Sequence, residues 1–293
     1  MAETAEVVLS RTNKRATGAY IYCYVFWIII MSLPYFSIIM PTHGRPELLK
    51  RAIASLRAST FGDFELIVIS DEIDAATFSV LAESLTPSDT FIKRTGKPGP
   101  AESRNLGLEK ARGQRVIFLD DDDALLPGYL GEAFKHCQNN PGEVLFTNYR
   151  VIEEDREHPE APVKTTDFSV AGQSVLEVYV KNFIHNHTCL YPSNAVRGRK
   201  QDEHLASLDD WDFLLNVMSD TSFKHINISG PVIYKDYVNM GNRRGSSASA
   251  QGSLVIIDYL HIYRRWPAPN DALKQKRQQL LQSAGLGVPL EWL

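Results

Sequence analysis

The chain has 293 residues, of which 44% are apolar and 23% are charged, an ordinary composition for a globular protein of one large or two small domains. The net charge is -4 and no run of basic residues is longer than two, so we expect no nucleic-acid partner. Cys23, Cys137 and Cys189 are far apart and form no CxxC pair, which predicts reduced thiols and a cytoplasmic location.

Residues 1–34 form a separate N-terminal segment. Arg11, Lys14 and Arg15 precede the uncharged run 19–33, a pattern typical of a signal or anchor sequence. The run is shorter than the roughly 20 residues that span a bilayer. Three interpretations stay open. The run touches the inner face of the membrane as an anchor, forms an extra buried or interface segment, or lies outside the functional fold.

Residues 35–240 are predicted to form an α/β domain, because strand-like and helix-like segments alternate from Tyr35 onward. The expected strands of its first half are Phe36–Met40, Phe64–Ile69, Thr90–Lys93 and Arg115–Leu119, and the expected helices are Glu47–Ser59, Thr77–Leu85 and Pro100–Ala111. Such alternation predicts a Rossmann-like, mostly parallel sheet flanked by helices, with ligands at the carboxyl ends of the strands.

The second half continues less regularly into a C-terminal helical extension. Its expected elements are a helix at Tyr129–Gln138, a strand at Val144–Ile152, a polar loop at 153–167, a helix near Ser174–Asn182, a strand around His187–Tyr191, a helix from Asp209 and a strand at Gly230–Tyr234. Residues 241–293 then supply a flexible loop, Gly241–Gly252, and two helices, Leu254–Trp266 and Asp271–Ala284.

The most informative motif is the acidic run Asp120–Asp123, which follows the apolar strand Val116–Leu119 directly. Neighbouring carboxylates repel by about 1 kcal/mol in water and by more where they are partly buried. A hard divalent cation or a shifted pKa relieves that repulsion. The run therefore predicts a site for Mn²⁺ or Mg²⁺, and the alternative is an acidic turn that is simply solvated.

Five segments in chain order resemble the family 2 glycosyltransferases of the GT-A fold, over roughly Phe36 to Tyr237. They are the opening loop Pro41–Pro46, the second-strand end Ser70–Glu72, the G-x-x-x-x-R-N-x-G segment Gly99–Gly107, the D-x-D-like run Asp120–Asp123 and the stretch Gln201–Phe213. The resemblance implies the GT-A fold and a catalytic base at Asp210, with Asp122 as the metal ligand. It also implies nucleotide-sugar contacts from Pro41, Thr42, Gly44, Arg45, Asp71, Arg104, Asn105, Asp120 and Asp121.

Two of these roles have purely structural alternatives. Arg104 pairs with the diphosphate or with Asp120, or else it is a surface residue paired to Glu102 or Glu109. Asp209 and Asp210 lie at a predicted helix start, where aspartate commonly serves as an N-cap. A base at a helix N-terminus also stays ionised, so both roles are compatible for Asp210.

One departure from the family concerns the loop after the last strand, where many members carry a histidine near the metal. Residues 237–244 contain none, and Asn239, Asn242, Arg243 or Arg244 would have to substitute. We expect Arg243 and Arg244 to bind the diphosphate within a lid at Gly241–Gly252, and the alternative is a solvated linker. His185 and His187 alternate on a predicted strand, and we interpret them as satisfied core or pocket residues rather than a metal pair.

The sequence therefore predicts a metal-dependent, inverting glycosyltransferase. By resemblance, the donor is a nucleoside diphosphate sugar, with a UDP-sugar expected, and the acceptor is a sugar or lipid-linked sugar in polysaccharide or glycoconjugate synthesis. One rival is a sugar nucleotidyltransferase, although a Gly-rich basic loop after the first strand is missing. The other rival is a non-catalytic sugar-nucleotide or glycan-binding module, although both key carboxylates, Asp122 and Asp210, are present.

Overall fold

A computed structural model describes residues 33–72, 74–158, 160–205, 207–238 and 249–293, and for 249–254 it describes the backbone alone. The run 19–33 lies outside these residues except for Leu33, and so do the four substitutes for the missing histidine and residues 241–248 of the expected lid. Residues 249–252, which were expected to belong to that loop, are helical. The strands are β1 (Phe36–His43), β2 (Phe64–Glu72), β3 (Thr90–Lys93), β4 (Arg115–Phe118), β5 (Ala124–Leu125), β6 (Val144–Glu154), β7 (Lys164–Phe168), β8 (Cys189–Pro192) and β9 (Phe223–Asp236). The α-helices are α1 (Pro46–Arg57), α2 (Ala75–Ser84), α3 (Pro100–Lys110), α4 (Tyr129–Gln138), α5 (Ser193–Val196), α6 (Asp209–Met218), α7 (Ser249–Arg265) and α8 (Asp271–Ser283).

The described strands form one sheet in the order β3-β2-β1-β4-β8-β6-β9-β5, and β7 pairs with β6 outside this sequence of neighbours. Strands β3, β2, β1 and β4 are parallel, as are β6 and β9, whereas β8 runs antiparallel to both β4 and β6. Strands β1, β2 and β4 are mostly apolar and buried because helices cover both of their faces, whereas β3 at the edge is partly exposed. The predicted α/β class with a mostly parallel, Rossmann-like sheet is confirmed.

Two apolar layers hold the sheet between its helices. One contains α1 and α4, and the other is centred on Trp211 of α6 and includes Tyr263 of α7 and Leu281 of α8. Residues Tyr35–Leu293 belong to one compact unit, so the C-terminal helices pack on the sheet domain. Within the described parts of the chain, no helix is long and apolar enough to cross a membrane.

Three local predictions are wrong. The polar loop expected at 153–167 contains β7, an edge strand whose partner is β6. The predicted helix near Ser174–Asn182 is a short 3₁₀ turn at Val175–Tyr179. His185 and His187 do not lie on a strand, because a second 3₁₀ turn at Asn186–Thr188 precedes β8.

Candidate functional site

A cleft of about 610 Å³ opens at the carboxyl ends of β1, β2 and β4. This is the edge at which ligands bind in open α/β sheets. The structure brings nearly all the described sequence-predicted donor-site residues to its wall. The lining comprises Pro41, Thr42, His43, Arg45, Asp71, Gly99, Pro100, Ser103, Arg104, Asp120, Asp121, Asp122, Arg156 and Asp236.

One end of the cleft is built around the carboxylate of Asp71 at the end of β2. It accepts hydrogen bonds from the Gly99 amide at 2.8 Å and from Arg94 Nη2 at 3.1 Å, and it lies 2.7 Å from His43 Nδ1. Buried Arg94 also donates to the carbonyls of Lys97 and Gly99, so it fixes the loop before α3. Arg94 was missed from the sequence, although its place directly after β3 is a usable signal.

The opening loop after β1 contacts the acidic run across the cleft floor. Thr42 Oγ1 donates to Asp121 Oδ2 at 2.6 Å, and Arg45 pairs with the other oxygen of the same carboxylate. Gly44 turns the chain between them with φ of +57°, a conformation that favours glycine. Despite both contacts, burial raises the pKa of Asp121 to about 6.

The four aspartates of the run occupy four different environments. Burial opposes ionisation of Asp120, but the charge and hydrogen bond of Arg104 together with the other positive groups around the carboxyl lower its pKa. Asp122 lies between two arginines, with its Oδ2 at 3.2 Å from Arg45 and 3.3 Å from Arg156. Asp123 is buried, and burial together with the charges of Asp122 and Asp120 raises its pKa well above the usual value. The fully solvated acidic turn is therefore excluded.

A group of three side chains has the composition of a metal site. Ligand atoms of Asp120, Asp123 and His187 lie within 4.8 Å of one another, and His187 Nδ1 is 3.6 Å from Asp123 Oδ2. Burial lowers the pKa of His187 and keeps its ring neutral, the form that binds metals. His187 Nε2 is buried without a hydrogen-bond partner among the described residues. Two carboxylates and an imidazole with unused capacity fit a divalent cation.

Sequence reasoning also missed His187 as part of the site. Its ring stacks on His185 at a centroid distance of 5.5 Å, and the edge of Tyr149 supports His185. His187 departs from the prediction that both histidines are satisfied core or pocket residues, because its Nε2 has no partner among the described residues and its ring lies beside Asp120 and Asp123. Asp122, the ligand inferred from family resemblance, pairs with Arg45 and Arg156 and does not belong to this group of three. Its metal role stays a prediction.

Arg104 of α3 connects the acidic run to the predicted base. Its Nη2 donates to Asp120 Oδ1 at 2.7 Å, and its Nη1 donates to Asp209 Oδ2 at 3.1 Å. The side chain is buried, so the surface-pair alternative with Glu102 or Glu109 is wrong. The neighbouring Asn105 exchanges two hydrogen bonds with the backbone of Gln201, at 2.9 and 2.7 Å, and so fixes the segment that leads to α6.

Asp210 lies in the first turn of α6 beside Asp209. Its carboxylate accepts a hydrogen bond from the adjacent Trp211 amide, and no side chain caps the helix at Leu208. Burial, followed by the charge of Asp209, raises the pKa of Asp210 to about 6. A half-buried carboxyl with such a pKa is suited to accept a proton near neutral pH.

The fold defines a class, the glycosyltransferases of the GT-A fold. Among solved structures, Staphylococcus aureus TarS 1-349 in complex with UDP-GlcNAc has a TM-score of 0.61, covering 86% of this chain and 73% of that one at 17% identity. Mannosyltransferase PcManGT from Pyrobaculum calidifontis, in complex with GDP-Man and Mn²⁺, has a TM-score of 0.54, covering 95% and 86% at 16% identity. At these identities the likeness establishes the fold.

The chain belongs to Glycosyl transferase family 2, whose model matches residues 37–196, and it is a glycosyltransferase. An uncharacterized glycosyltransferase of Haemophilus influenzae is 25% identical over 237 residues, 76% of this chain and 75% of the relative. The poly(ribitol-phosphate) beta-N-acetylglucosaminyltransferase TarP of Staphylococcus aureus is 30% identical over 66% of both chains. A GalNAc(5)-diNAcBac-PP-undecaprenol beta-1,3-glucosyltransferase of Campylobacter jejuni is 41% identical, but over only 39% of this chain and 38% of the relative.

Proposed function

We propose that this glycosyltransferase is metal-dependent and inverting, and that it moves a sugar from a nucleoside diphosphate sugar to a hydroxyl of a sugar or lipid-linked sugar. The observation that carries the proposal is the bridge made by Arg104, which contacts Asp120 at 2.7 Å and Asp209 at 3.1 Å. One guanidinium thus holds the acidic run and the pair Asp209–Asp210 within reach of a single substrate. A site that only binds a nucleotide has no need of a second carboxylate pair.

The chain's residues suit each requirement of the reaction. The cleft between Asp71 and Thr42 would hold the nucleoside, and Asp210 would take the proton of the attacking hydroxyl, which is typically worth about 10²–10⁴-fold in rate. Asp120, Asp123 and His187 would hold Mn²⁺ or Mg²⁺, with Asp122 joining them once its arginines turn to the diphosphate. Such an ion offsets the charge of a diphosphate leaving group.

The expected substrates follow from what the names of the relatives and structural neighbours say. A UDP-sugar donor is favoured by the TarS complex with UDP-GlcNAc. The mannosyltransferase complex with GDP-Man leaves a donor with guanine in place of uracil as the alternative. Relatives that act on undecaprenol-diphosphate sugars favour a lipid-linked acceptor in envelope polysaccharide synthesis. We accordingly propose a cytoplasmic enzyme at the inner face of the membrane, with 1–34 as the contact, 35–240 as the catalytic domain and 241–293 as its extension.

The deciding experiment is a donor screen. UDP-Glc, UDP-GlcNAc and GDP-Man are each incubated with lipid-linked and free sugar acceptors, and released nucleoside diphosphate is measured with Mn²⁺ and with excess EDTA. We expect release from one donor that depends on both acceptor and Mn²⁺, and an anomeric configuration in the product, read by NMR, opposite to that of the donor. Full turnover in EDTA would refute metal dependence, and retention of configuration would refute inversion.

A further inference from the structure

The turn that leads into α6 has an unusual backbone conformation. Leu208 has φ of +62° and ψ of 17°, and it is the one non-glycine residue with positive φ that the structure describes. In this left-handed region the Cβ of a non-glycine residue comes too close to the following carbonyl oxygen. Such a conformation persists only where surrounding contacts enforce it, and it is frequent beside functional groups. Here it lies directly before Asp209 and Asp210.

The contacts that enforce it come from α7, far along the chain. Asp258 of α7 is 5% exposed, and its Oδ2 accepts hydrogen bonds from the Ser207 amide at 2.7 Å and from Ser207 Oγ at 3.0 Å. Ser207 immediately precedes Leu208. A buried carboxylate that binds both donors of one serine fixes the position of that residue, because charge-assisted hydrogen bonds are short and strong.

The other side of the same turn is also held by the C-terminal part of α7. Asp212 is buried and accepts from Arg265 Nη1 and from Trp266 Nε1, both at 2.8 Å. Trp211 packs edge to face on Tyr259 of α7 at a centroid distance of 4.9 Å. Segment 207–212 is thus tied to α7 at both ends, and Asp209 and Asp210 lie between the two ties.

We propose that Asp258 is a positioning residue for sugar transfer: through Ser207 it holds Leu208 in the left-handed conformation and thereby fixes Asp209 against Arg104 and Asp210 toward the acceptor hydroxyl. The inference rests on the proposed base role of Asp210. It adds a residue that lies outside the family match at 37–196 and outside the five segments from which the site was inferred. It also gives α7 a part in catalysis, although none of the side chains of this helix that the structure describes lines the cleft.

The test separates positioning from folding by a rescue. Asp258→Ala should lower kcat about tenfold, the factor that corresponds to the cost of the left-handed conformation for a non-glycine residue. The KM for the donor and the Kd of UDP with Mn²⁺ should stay unchanged, since the nucleoside end of the cleft is not touched. Leu208→Gly, added to Asp258→Ala, should restore most of kcat, because glycine adopts positive φ without enforcement.

A matched control is Asn270→Ala, which removes the cap of α8, where Asn270 Oδ1 accepts from the Leu273 amide at 3.0 Å. This variant destabilises the same helical extension without touching 207–212, so its kcat per folded molecule should equal that of the wild type. The inference is overturned if Asp258→Ala keeps the full kcat of the wild type, or if Leu208→Gly brings no recovery of kcat. It is also overturned if Asn270→Ala lowers kcat as much as Asp258→Ala does when the two variants have the same Tm. Failure of the proposed function looks different, because Asp210→Asn would then retain turnover.

Discussion

Replacing Asp210 by asparagine removes the proposed base while keeping the shape of the side chain. The asparagine oxygen can still accept the hydrogen bond that the Trp211 amide donates to Asp210 Oδ1 at 2.8 Å. Loss of a general base costs roughly 10²–10⁴-fold in rate. We therefore expect kcat to fall by that factor, while the affinity for UDP and Mn²⁺ is unchanged because the cleft and the acidic cluster lie on the other side of Arg104.

The raised pKa of Asp210 makes the same prediction testable by pH. Because the ionised carboxylate is the active form, kcat/KM of the wild type should rise with pH and level off above about 6. Asp210→Asn should lack this limb. The sign for stability is opposite. Because the pKa of Asp210 in the folded state lies above the ordinary 3.8, ionisation of this carboxyl lowers the free energy of unfolding. The loss is absent below pH 3.8 and reaches at most about 3 kcal/mol above pH 6.

The assay follows nucleoside diphosphate release at pH 5 to 9, with calorimetry for UDP binding and thermal unfolding at each pH. Asp220→Asn, an exposed carboxylate just beyond the other end of α6 that pairs with Arg199, is the control and should retain the wild-type profile. Asp210→Asn should unfold at the same Tm as the wild type or higher at pH 8. Equal losses of UDP affinity and turnover, or a pH limb that survives the substitution, would refute the base assignment.

Three further substitutions test other parts of the site. His187→Ala should weaken Mn²⁺ binding, read by EPR titration without sugar, by at least the roughly tenfold that even an outer partner of a metal ligand contributes; unchanged binding would exclude the histidine as a ligand. Gly107→Ala would push a methyl group of α3 into the side chains of β1 and β2, so urea unfolding should show a loss of about 1–3 kcal/mol, whereas Gly62→Ala, which has open space around it, should show none. Double replacement of Arg243 and Arg244 by alanine should weaken UDP binding by about 1–3 kcal/mol if they contact the diphosphate, and unchanged calorimetric binding would favour the linker interpretation.

The elements that could be predicted from sequence are those whose pattern is local. Thr90–Lys93 and Tyr129–Gln138 have the predicted bounds because turn residues and an apolar face delimit them within a few positions. The edge strand Lys164–Phe168 was missed, since its residues are mostly exposed and only its pairing with β6 makes it a strand. The same reason accounts for β5, which has two residues and pairs with β9.

The candidate site divides in the same way. Residues inside recognisable segments, such as Asp71, Arg104 and Asp210, could be placed from sequence because a motif fixes their position on a strand end or helix start. Arg156 and His187 could not, because a polar loop and a 3₁₀ turn carry them and only the curled sheet brings them to the acidic run. The separate environments of the four aspartates likewise depend on partners up to 111 residues away, as the bond from the Tyr234 amide to Asp123 shows.

The charge balance of the cleft leads to a last prediction. The acidic run and the pair Asp209–Asp210 contribute six carboxylates, and the described arginines in ion pairs with them are Arg45, Arg104 and Arg156. A diphosphate adds further negative charge to this surplus, so it needs a cation beside it. UDP should therefore bind weakly in EDTA and at least about tenfold more tightly with Mn²⁺, a difference of about 1.4 kcal/mol. Uridine, which lacks the phosphates, should bind equally in both conditions. A UDP affinity that chelation leaves unchanged would refute the need for a cation and would show that side chains of the chain itself supply the compensating charge.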